Sequence, residues 1–256
     1  MGTTDWTPLI MHSDGTTTAQ PPQWQGPPPA LAAYRSPRGL AVAASILVGV
    51  VALADLLDAA MAFVVRGDYQ QLVDEPELSG DLVVNSAVVW AGTSGLTVLA
   101  LVAAGVVFAC WFVRIRKNAE LLAPQAPHSR SAGWVVWGWI VPVVSFWFPF
   151  QIARDCWRAS APKGDPWGSE LVLRLWWAAW LLSLAAGQAA QQLVGAEETP
   201  EAYATAFGAV AVADLVDVVA AVLAILVLRR LTALQDATAV RAAAESRPAA
   251  AWQWQA

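Results

Sequence analysis

Four long runs of apolar residues dominate the chain. They cover approximately residues 39–65, 83–113, 171–194 and 202–228. A helix needs about 20 apolar residues to cross the roughly 30 Å hydrocarbon core of a bilayer, and each run reaches that length. The pattern therefore predicts an all-α fold, a polytopic membrane helix bundle with four transmembrane helices.

A fifth apolar stretch, at residues 133–151, is of borderline length and is interrupted by Pro142 and Pro149. It has no polar face, so it does not fit an amphipathic helix that lies on the membrane surface. We expect a Trp/Pro-rich segment that either re-enters the membrane as a hairpin or spans it. Broken backbone at membrane depth must have its polar groups satisfied by protein or a watery cavity. A hairpin built from Trp139, Pro142 and Pro149 should therefore be packed among the other helices.

The distribution of Lys and Arg favours the hairpin over a fifth span. Short cytoplasmic loops carry an excess of these residues. If residues 133–151 return to the side where they began, fourteen of the fifteen basic residues are cytoplasmic and only Arg66 is outside; a full crossing gives six inside and nine outside. We therefore expect four spans plus a hairpin in the cell membrane, with the N- and C-termini cytoplasmic.

The two ends of the chain differ in composition from the membrane domain, which we place at 34–230. Residues 1–33 are polar, with a cluster of prolines between Pro21 and Pro29, and cannot bury a core. They are predicted to be a disordered cytoplasmic tail, and a linker is favoured over a proline-rich ligand because no basic-flanked P-x-x-P core is present. Residues 231–256 are predicted to be a second cytoplasmic tail, partly helical because of its alanines.

Composition supports the membrane assignment and argues against several function classes. Hydrophobic residues make up 57% of the chain and charged residues 14%, against about 25% charged in an ordinary soluble domain. A net charge of −5 offers no basic surface for nucleic acid. The two cysteines, Cys110 and Cys156, and the two histidines have no metal-ligand spacing, so we expect no metal and no cofactor. No span carries the Gly-x-Gly-Asp of intramembrane aspartyl proteases or another catalytic motif, so we do not expect an enzyme.

Two pairs of carboxylates lie inside predicted spans. Asp55 and Asp58 belong to the first span, and Asp214 and Asp217 to the last. The i, i+3 spacing places both members of a pair on one helix face. Because a charged Asp at the centre of a membrane helix costs about 2.5–3.5 kcal/mol, these side chains must face the bundle, be protonated, or both. They are our candidate proton or cation site, and interhelical hydrogen bonding is the alternative interpretation.

The sequences around the two pairs are alike, Val-Ala-Leu-Ala-Asp55-Leu-Leu-Asp58 and Val-Ala-Val-Ala-Asp214-Leu-Val-Asp217. The first helix runs outward and the second inward, so the likeness suggests the inverted repeat that transporters use to build a midplane site. Polar residues at helical spacing on other spans could form hydrogen bonds with these acids. They are Ser86, Thr93 and Thr97 in the second span and Gln188 and Gln192 in the third long span.

A basic collar is predicted at the cytoplasmic face, where it could attract anionic lipid headgroups. Its members are Arg114, Arg116, Lys117, Arg154 and Arg158. Ten of the fifteen tryptophans lie between Trp111 and Trp180. We interpret them as interfacial anchors in preference to an aromatic ligand cage.

Three blocks together resemble a family of actinobacterial membrane proteins known only as domain of unknown function 4328. The blocks are Trp111–Glu120; Gly138–Val143 continuing through Trp147–Gln151 to Asp155–Ser160; and Trp176-Trp177-Ala-Ala-Trp180 with Ser183, preceded far upstream by Arg35–Leu40. The likeness covers about residues 35–235. It implies a multi-pass membrane protein with no assigned activity and supplies no catalytic residues.

Together these features favour a non-enzymatic membrane component that binds partners or lipids. The alternative is a small proton- or cation-linked transporter or channel-like protein that uses the intramembrane Asp pairs. A bundle of four spans could form a pore only marginally, so a homo-oligomer would suit the second hypothesis. The lipid bilayer itself, with its anionic lipids, is the one partner that the sequence indicates, and no protein partner is identified.

Overall fold

The computed structural model describes residues 33–75, 81–161, 170–196 and 199–246, so most of the N-terminal tail and the end of the C-terminal tail lie outside the described residues. Within these ranges the secondary structure is helical, without strands. The helices are α1 (Arg38–Asp74), α2 (Asp81–Leu122), α3 (Trp134–Ile140), α4 (Phe148–Ser160), α5 (Glu170–Ala196) and α6 (Pro200–Glu245), with a 3₁₀ turn at Val144–Phe146 between α3 and α4. The predicted all-α fold is confirmed.

Four of these helices, α1, α2, α5 and α6, are long and apolar enough to cross a membrane. Their outer surfaces carry many large apolar side chains, such as Leu96 and Leu99 on α2, which are 67% and 69% exposed. A continuous exposed apolar surface marks a membrane or partner interface in a folded protein. The bundle therefore has the four candidate spans that the apolar runs predict.

An antiparallel pair, α1 and α6, forms the centre of the bundle, with α2 packed on α1 and α5 packed on α6. At one end Tyr34 donates a hydrogen bond to Asp236 over 2.8 Å. At the other end the Arg66 side chain occupies the space left by the missing side chain of Gly208. We call the end of the bundle that contains Tyr34 the basic end, because Arg116 of α2 lies there. We call the opposite end, where α1 finishes at Asp74, the acidic end.

Two hydrophobic clusters fill the bundle, one towards each end. The cluster at the basic end joins α1, α2, α4, α5 and α6 through side chains such as Trp111, Phe112, Ile152, Leu173 and Leu228. The cluster at the acidic end is built from smaller residues of α1, α5 and α6, including Ala62, Ala190 and Ala211 around Phe207. The two Asp pairs lie between these clusters along α1 and α6.

Helix α6 extends well beyond the apolar run that predicted it. The run stops at 228, yet the helix continues to Glu245, and Leu231, Thr232 and Gln235 are buried in the bundle. The end of an apolar run does not have to be the end of a helix. Here the helix continues because the residues that follow the run are mostly good helix formers. The bundle thus includes residues that composition alone assigns to the tail.

The segment with the two prolines forms a bent helical hairpin. The axis turns by 111° between α3 and the part that begins at Val144. Pro142 is exposed at the bend, while Pro149 is buried in the first turn of α4. At Gly138 an added Cβ would lie 3.3 Å from the Cβ of Phe148, so a glycine at this position allows α3 and α4 to approach closely.

The hairpin is packed between α2 and α5 at the basic end. The Trp139 ring lies 5.5 Å from the Phe108 ring on α2 and 5.6 Å from the Trp180 ring on α5, measured between centroids. Since α2 ends and α5 begins in the same hydrophobic cluster, the chain enters and leaves the hairpin at one end of the bundle. This arrangement is the one expected for a segment that does not cross between α2 and α5.

Candidate functional site: a layer of carboxyl groups at mid-bundle

The four predicted intramembrane aspartates come together in one layer, which we call the carboxyl layer. Asp55 and Asp58 on α1 are buried, and Asp214 and Asp217 on α6 are half-buried. Across the helix pair, the Asp55 carboxyl is a neighbour of the Asp217 carboxyl, and the Asp214 carboxyl is a neighbour of the Asp58 carboxyl. The antiparallel packing of α1 on α6 therefore turns two local i, i+3 pairs into one four-membered group.

Hydroxyl groups from the flanking helices surround this layer. Thr93 and Ser94 of α2 donate hydrogen bonds to the Asp58 carboxyl, over 2.7 Å and 2.9 Å. On the opposite side the buried Ser183 of α5 lies against the Asp217 carboxyl. One oxygen of Asp214, Oδ2, is buried without a hydrogen-bond partner among the described residues.

The layer has a local two-fold arrangement. Asp58 and Asp217 are the second members of their pairs, and each faces a hydroxyl group from the outer helix next to its own, α2 or α5. The symmetry relates α1 to α6 and α2 to α5. A tandem duplication of two helices would instead relate α1 to α5 and α2 to α6. The similarity of the two Asp segments therefore does not extend to the order of the helices, as an inverted repeat would require.

Several polar residues that we expected around the acids have other positions. Gln188 and Gln192 are exposed on the outside of α5. Ser86 and Thr97 donate their hydrogen bonds to backbone carbonyls of their own helix. Helical spacing identified Thr93 correctly but missed Ser94, its immediate neighbour, because a carboxyl group above a helix can reach two adjacent residues that a face analysis separates.

No ion pair within the described residues involves the carboxyl layer. In the same part of the chain, no group of three or more Asp, Glu, His or Cys side chains has the geometry to hold a metal ion. The polar contacts identified for the layer are thus made with hydroxyl groups and with the other carboxyls.

One residue of the predicted lipid collar is buried, and the other four are exposed or half-buried. Arg116 is only 3% exposed and donates hydrogen bonds to Glu120 and to the backbone oxygen of Arg130. Arg158 is ion-paired with Glu170 over 2.8 Å, and the Arg154 guanidinium lies over the Phe150 ring. Arg114 is half-buried, and Lys117 is exposed. Burial of Arg116 removes it from the expected collar.

The tryptophans near the basic end form a packed aromatic cluster. Trp139 is its central member, with ring contacts to Phe108, Phe112, Trp176, Trp177 and Trp180. Trp111 donates a hydrogen bond to Thr232 over 3.0 Å. These rings fill the space between α2, the hairpin and α5, so their contacts are those of a core.

The blocks that carry the family resemblance meet at this same basic end. Asn118 of α2 donates hydrogen bonds to the backbone oxygen of Arg35 and to Gln235 of α6. Trp157 of α4 and Trp176 of α5 are buried in the same cluster. The resemblance therefore follows the packing of the basic end more closely than the carboxyl layer.

Comparison with known proteins gives one family match. Residues 74–233 match the model of a domain of unknown function, DUF4328. This range is narrower than the expected 35–235; it includes Asp214 and Asp217 and leaves out most of α1 with Asp55 and Asp58. No curated protein and no solved structure shows a significant match to the chain. Because the match covers more than half of the sequence, the chain belongs to the DUF4328 family.

Proposed function

We propose that this chain is a non-enzymatic integral protein of an actinobacterial plasma membrane and that its carboxyl layer binds and releases protons. In this proposal α1, α2, α5 and α6 cross the bilayer, the hairpin is re-entrant, and both termini are cytoplasmic. The exposed apolar side chains of the four helices and the concentration of Lys and Arg at the basic end support this placement.

The observation that carries the proposal is the meeting of four carboxyl groups between two apolar clusters. Four negative charges close together in a medium of low dielectric constant repel one another strongly, and each is costly at the membrane centre. Protons relieve this repulsion, and a protonated Asp can donate a hydrogen bond to an ionised neighbour. The bundle therefore supplies a group of side chains whose charge state depends on proton uptake.

The hydroxyl groups beside the layer favour the same chemistry. Thr93 and Ser94 are hydrogen-bonded to Asp58, so this carboxyl has fixed partners on the flanking helix. Asp217 has the same kind of partner in Ser183, so in this proposal a proton is held at the two acids for which the described residues provide no hydroxyl partner, Asp55 and Asp214. A proton-linked transporter or channel-like protein would use this exchange to pass protons between the two ends, and a homo-oligomer could complete its path.

The test compares the protein with a variant in which all four aspartates are replaced by asparagine. Infrared difference spectra of membrane-reconstituted protein should contain a pH-dependent carboxylic acid component from the four buried aspartates, in addition to that of the other acids, and this component should be missing from the variant. Asp74→Asn, at the exposed end of α1, is the matched control and should keep this component. Proton uptake into vesicles under an imposed potential should be lost in the same variant.

Packing without proton exchange is the competing interpretation. Hydrogen bonds between membrane helices contribute only about 0.6 kcal/mol on average, so asparagines could replace the acids with little effect. A correctly folded four-Asn variant with an unchanged infrared titration and unchanged proton uptake would refute the proposal.

A further inference from the structure

A groove of about 330 Å³ lies between α1 and α6 at the basic end, well away from the carboxyl layer. Its walls include two arginines, two hydroxyl-bearing residues, one acid and apolar side chains of α1. The lining residues include Arg38, Val42, Ser45, Arg229, Thr232 and Asp236. We call it the α1/α6 groove.

The groove has a net positive charge. Asp236 already accepts a hydrogen bond from Tyr34 over 2.8 Å and is ion-paired with Arg38 at 3.5 Å. Burial, together with the neighbouring Asp236, raises the pKa of the Tyr34 hydroxyl above its usual range, so Tyr34 remains a donor to Asp236 at neutral pH. Arg229 makes no ion pair within the described part of the chain, and its charge is available to an anion.

Two hydroxyl groups lie inside the groove. Ser45 is only 7% exposed, and its Oγ is buried without a hydrogen-bond partner among the described residues. Thr232 is 5% exposed, and its Oγ1 accepts a hydrogen bond from Trp111 Nε1. The Thr232 hydroxyl hydrogen can therefore still be donated. A buried hydroxyl without a partner costs free energy, and a ligand oxygen in the groove would remove that cost.

The groove also opens onto the apolar surface of the bundle. Val42 and Ile46 line it and are 54% and 62% exposed. The antiparallel register places Asp236 level with Arg38, and Arg229 level with Ser45. Ser45 lies seven residues after Arg38, which is about 10 Å along the helix axis. At the edge of the predicted membrane span, the groove thus combines the charged groups of Arg38 and Arg229 with an apolar strip formed by Val42 and Ile46.

We propose that the α1/α6 groove binds an anionic phospholipid. The phosphate would contact Arg38 and Arg229, the Ser45 and Thr232 hydroxyls would donate to headgroup oxygens, and an acyl chain would lie along Val42 and Ile46. The membrane placement given above is a premise of this site, whereas proton exchange in the carboxyl layer is independent of it.

The experiment titrates the full-length, detergent-purified protein with phosphatidylglycerol and counts bound lipids by native mass spectrometry. Arg38→Gln and Arg229→Gln should each weaken lipid binding about fivefold, as expected for one arginine at a headgroup. Adding Ser45→Ala to either variant should weaken lipid binding further. Arg230→Gln is the matched control, because Arg230 is the exposed neighbour of Arg229 and does not line the groove. Phosphatidylcholine should bind more weakly than phosphatidylglycerol, with little change between variants.

Equal losses in Arg229→Gln and Arg230→Gln, or no loss in either, would overturn the proposal. Displacement of the lipid by millimolar inorganic phosphate would identify a soluble-anion site and would overturn the lipid assignment. The four-Asn variant of the carboxyl layer should bind the lipid normally, so failure of the proton proposal and failure of the lipid proposal give different results.

Discussion

Replacing Trp139 by alanine removes the side chain that joins the hairpin to both neighbouring helices. The ring contacts two aromatic residues of α2 and three of α5, with centroid separations between 5.5 Å and 6.4 Å. Truncation of a packed Trp to Ala costs about 3–5 kcal/mol, and single aromatic pairs contribute about 0.5–1.5 kcal/mol. Because the five contacts share one ring, the larger figure already includes them, and we expect a loss of about 3–5 kcal/mol.

The loss can be measured as the free energy of unfolding during titration of mixed micelles with a denaturing detergent. Trp137→Ala is the matched control, since Trp137 lies in the same helix but is 59% exposed. We expect its effect to stay within about 0.5 kcal/mol, as for other surface substitutions. Similar losses for the two substitutions would refute the packing of the hairpin between α2 and α5.

Two other predictions concern buried polar contacts and the bend of the hairpin. Gln235 is fully buried and donates to the Ile115 backbone oxygen over 2.8 Å, so Gln235→Leu should lower the free energy of unfolding by about 1–3 kcal/mol. The exposed Gln188→Leu should not lower it, and equal losses would contradict the assignment. Val143 has a φ of 68° and sits in a γ-turn closed by the Val144 N–H donating to the Pro142 oxygen. Val143→Gly should raise the free energy of unfolding by the strain that it relieves, about 1–3 kcal/mol, less the entropy cost of glycine. Val143→Ala retains the Cβ atom and should give no such gain. A larger stabilisation by alanine than by glycine would argue against strain.

The long helices could be predicted because apolar length is a property of each segment by itself. The same is true of the i, i+3 spacing that places Asp55 beside Asp58 and Asp214 beside Asp217. Their union in one layer depends on the register of α1 against α6, which no single helix determines. The four acids of the candidate site could therefore be identified from the sequence, but their meeting in one layer could not.

Other features could not be predicted because they depend on tertiary contacts. Helical periodicity shows which residues share a face, but not whether that face meets a helix or lipid, so Gln188 and Ser86 were assigned to a polar interior that they do not line. Charge likewise indicated a surface position for Arg116, whose guanidinium is satisfied inside the protein by Glu120 and a backbone oxygen. The α1/α6 groove combines residues far apart in the chain and has no local sequence signal.

In the proposed topology, the hairpin of the membrane bundle returns to the side of the membrane where it began. The direct test introduces single cysteines at exposed positions in a protein with Cys110 and Cys156 replaced by alanine, and labels intact cells with a membrane-impermeant thiol reagent. Suitable positions are Gln125 before the hairpin, Arg158 near the end of α4, and Glu75 at the acidic end. We predict that Glu75→Cys is labelled in intact cells, while Gln125→Cys and Arg158→Cys are labelled only after the cells are opened. Labelling of Arg158→Cys but not of Gln125→Cys in intact cells would mean that the segment crosses the membrane, and would contradict the re-entrant topology.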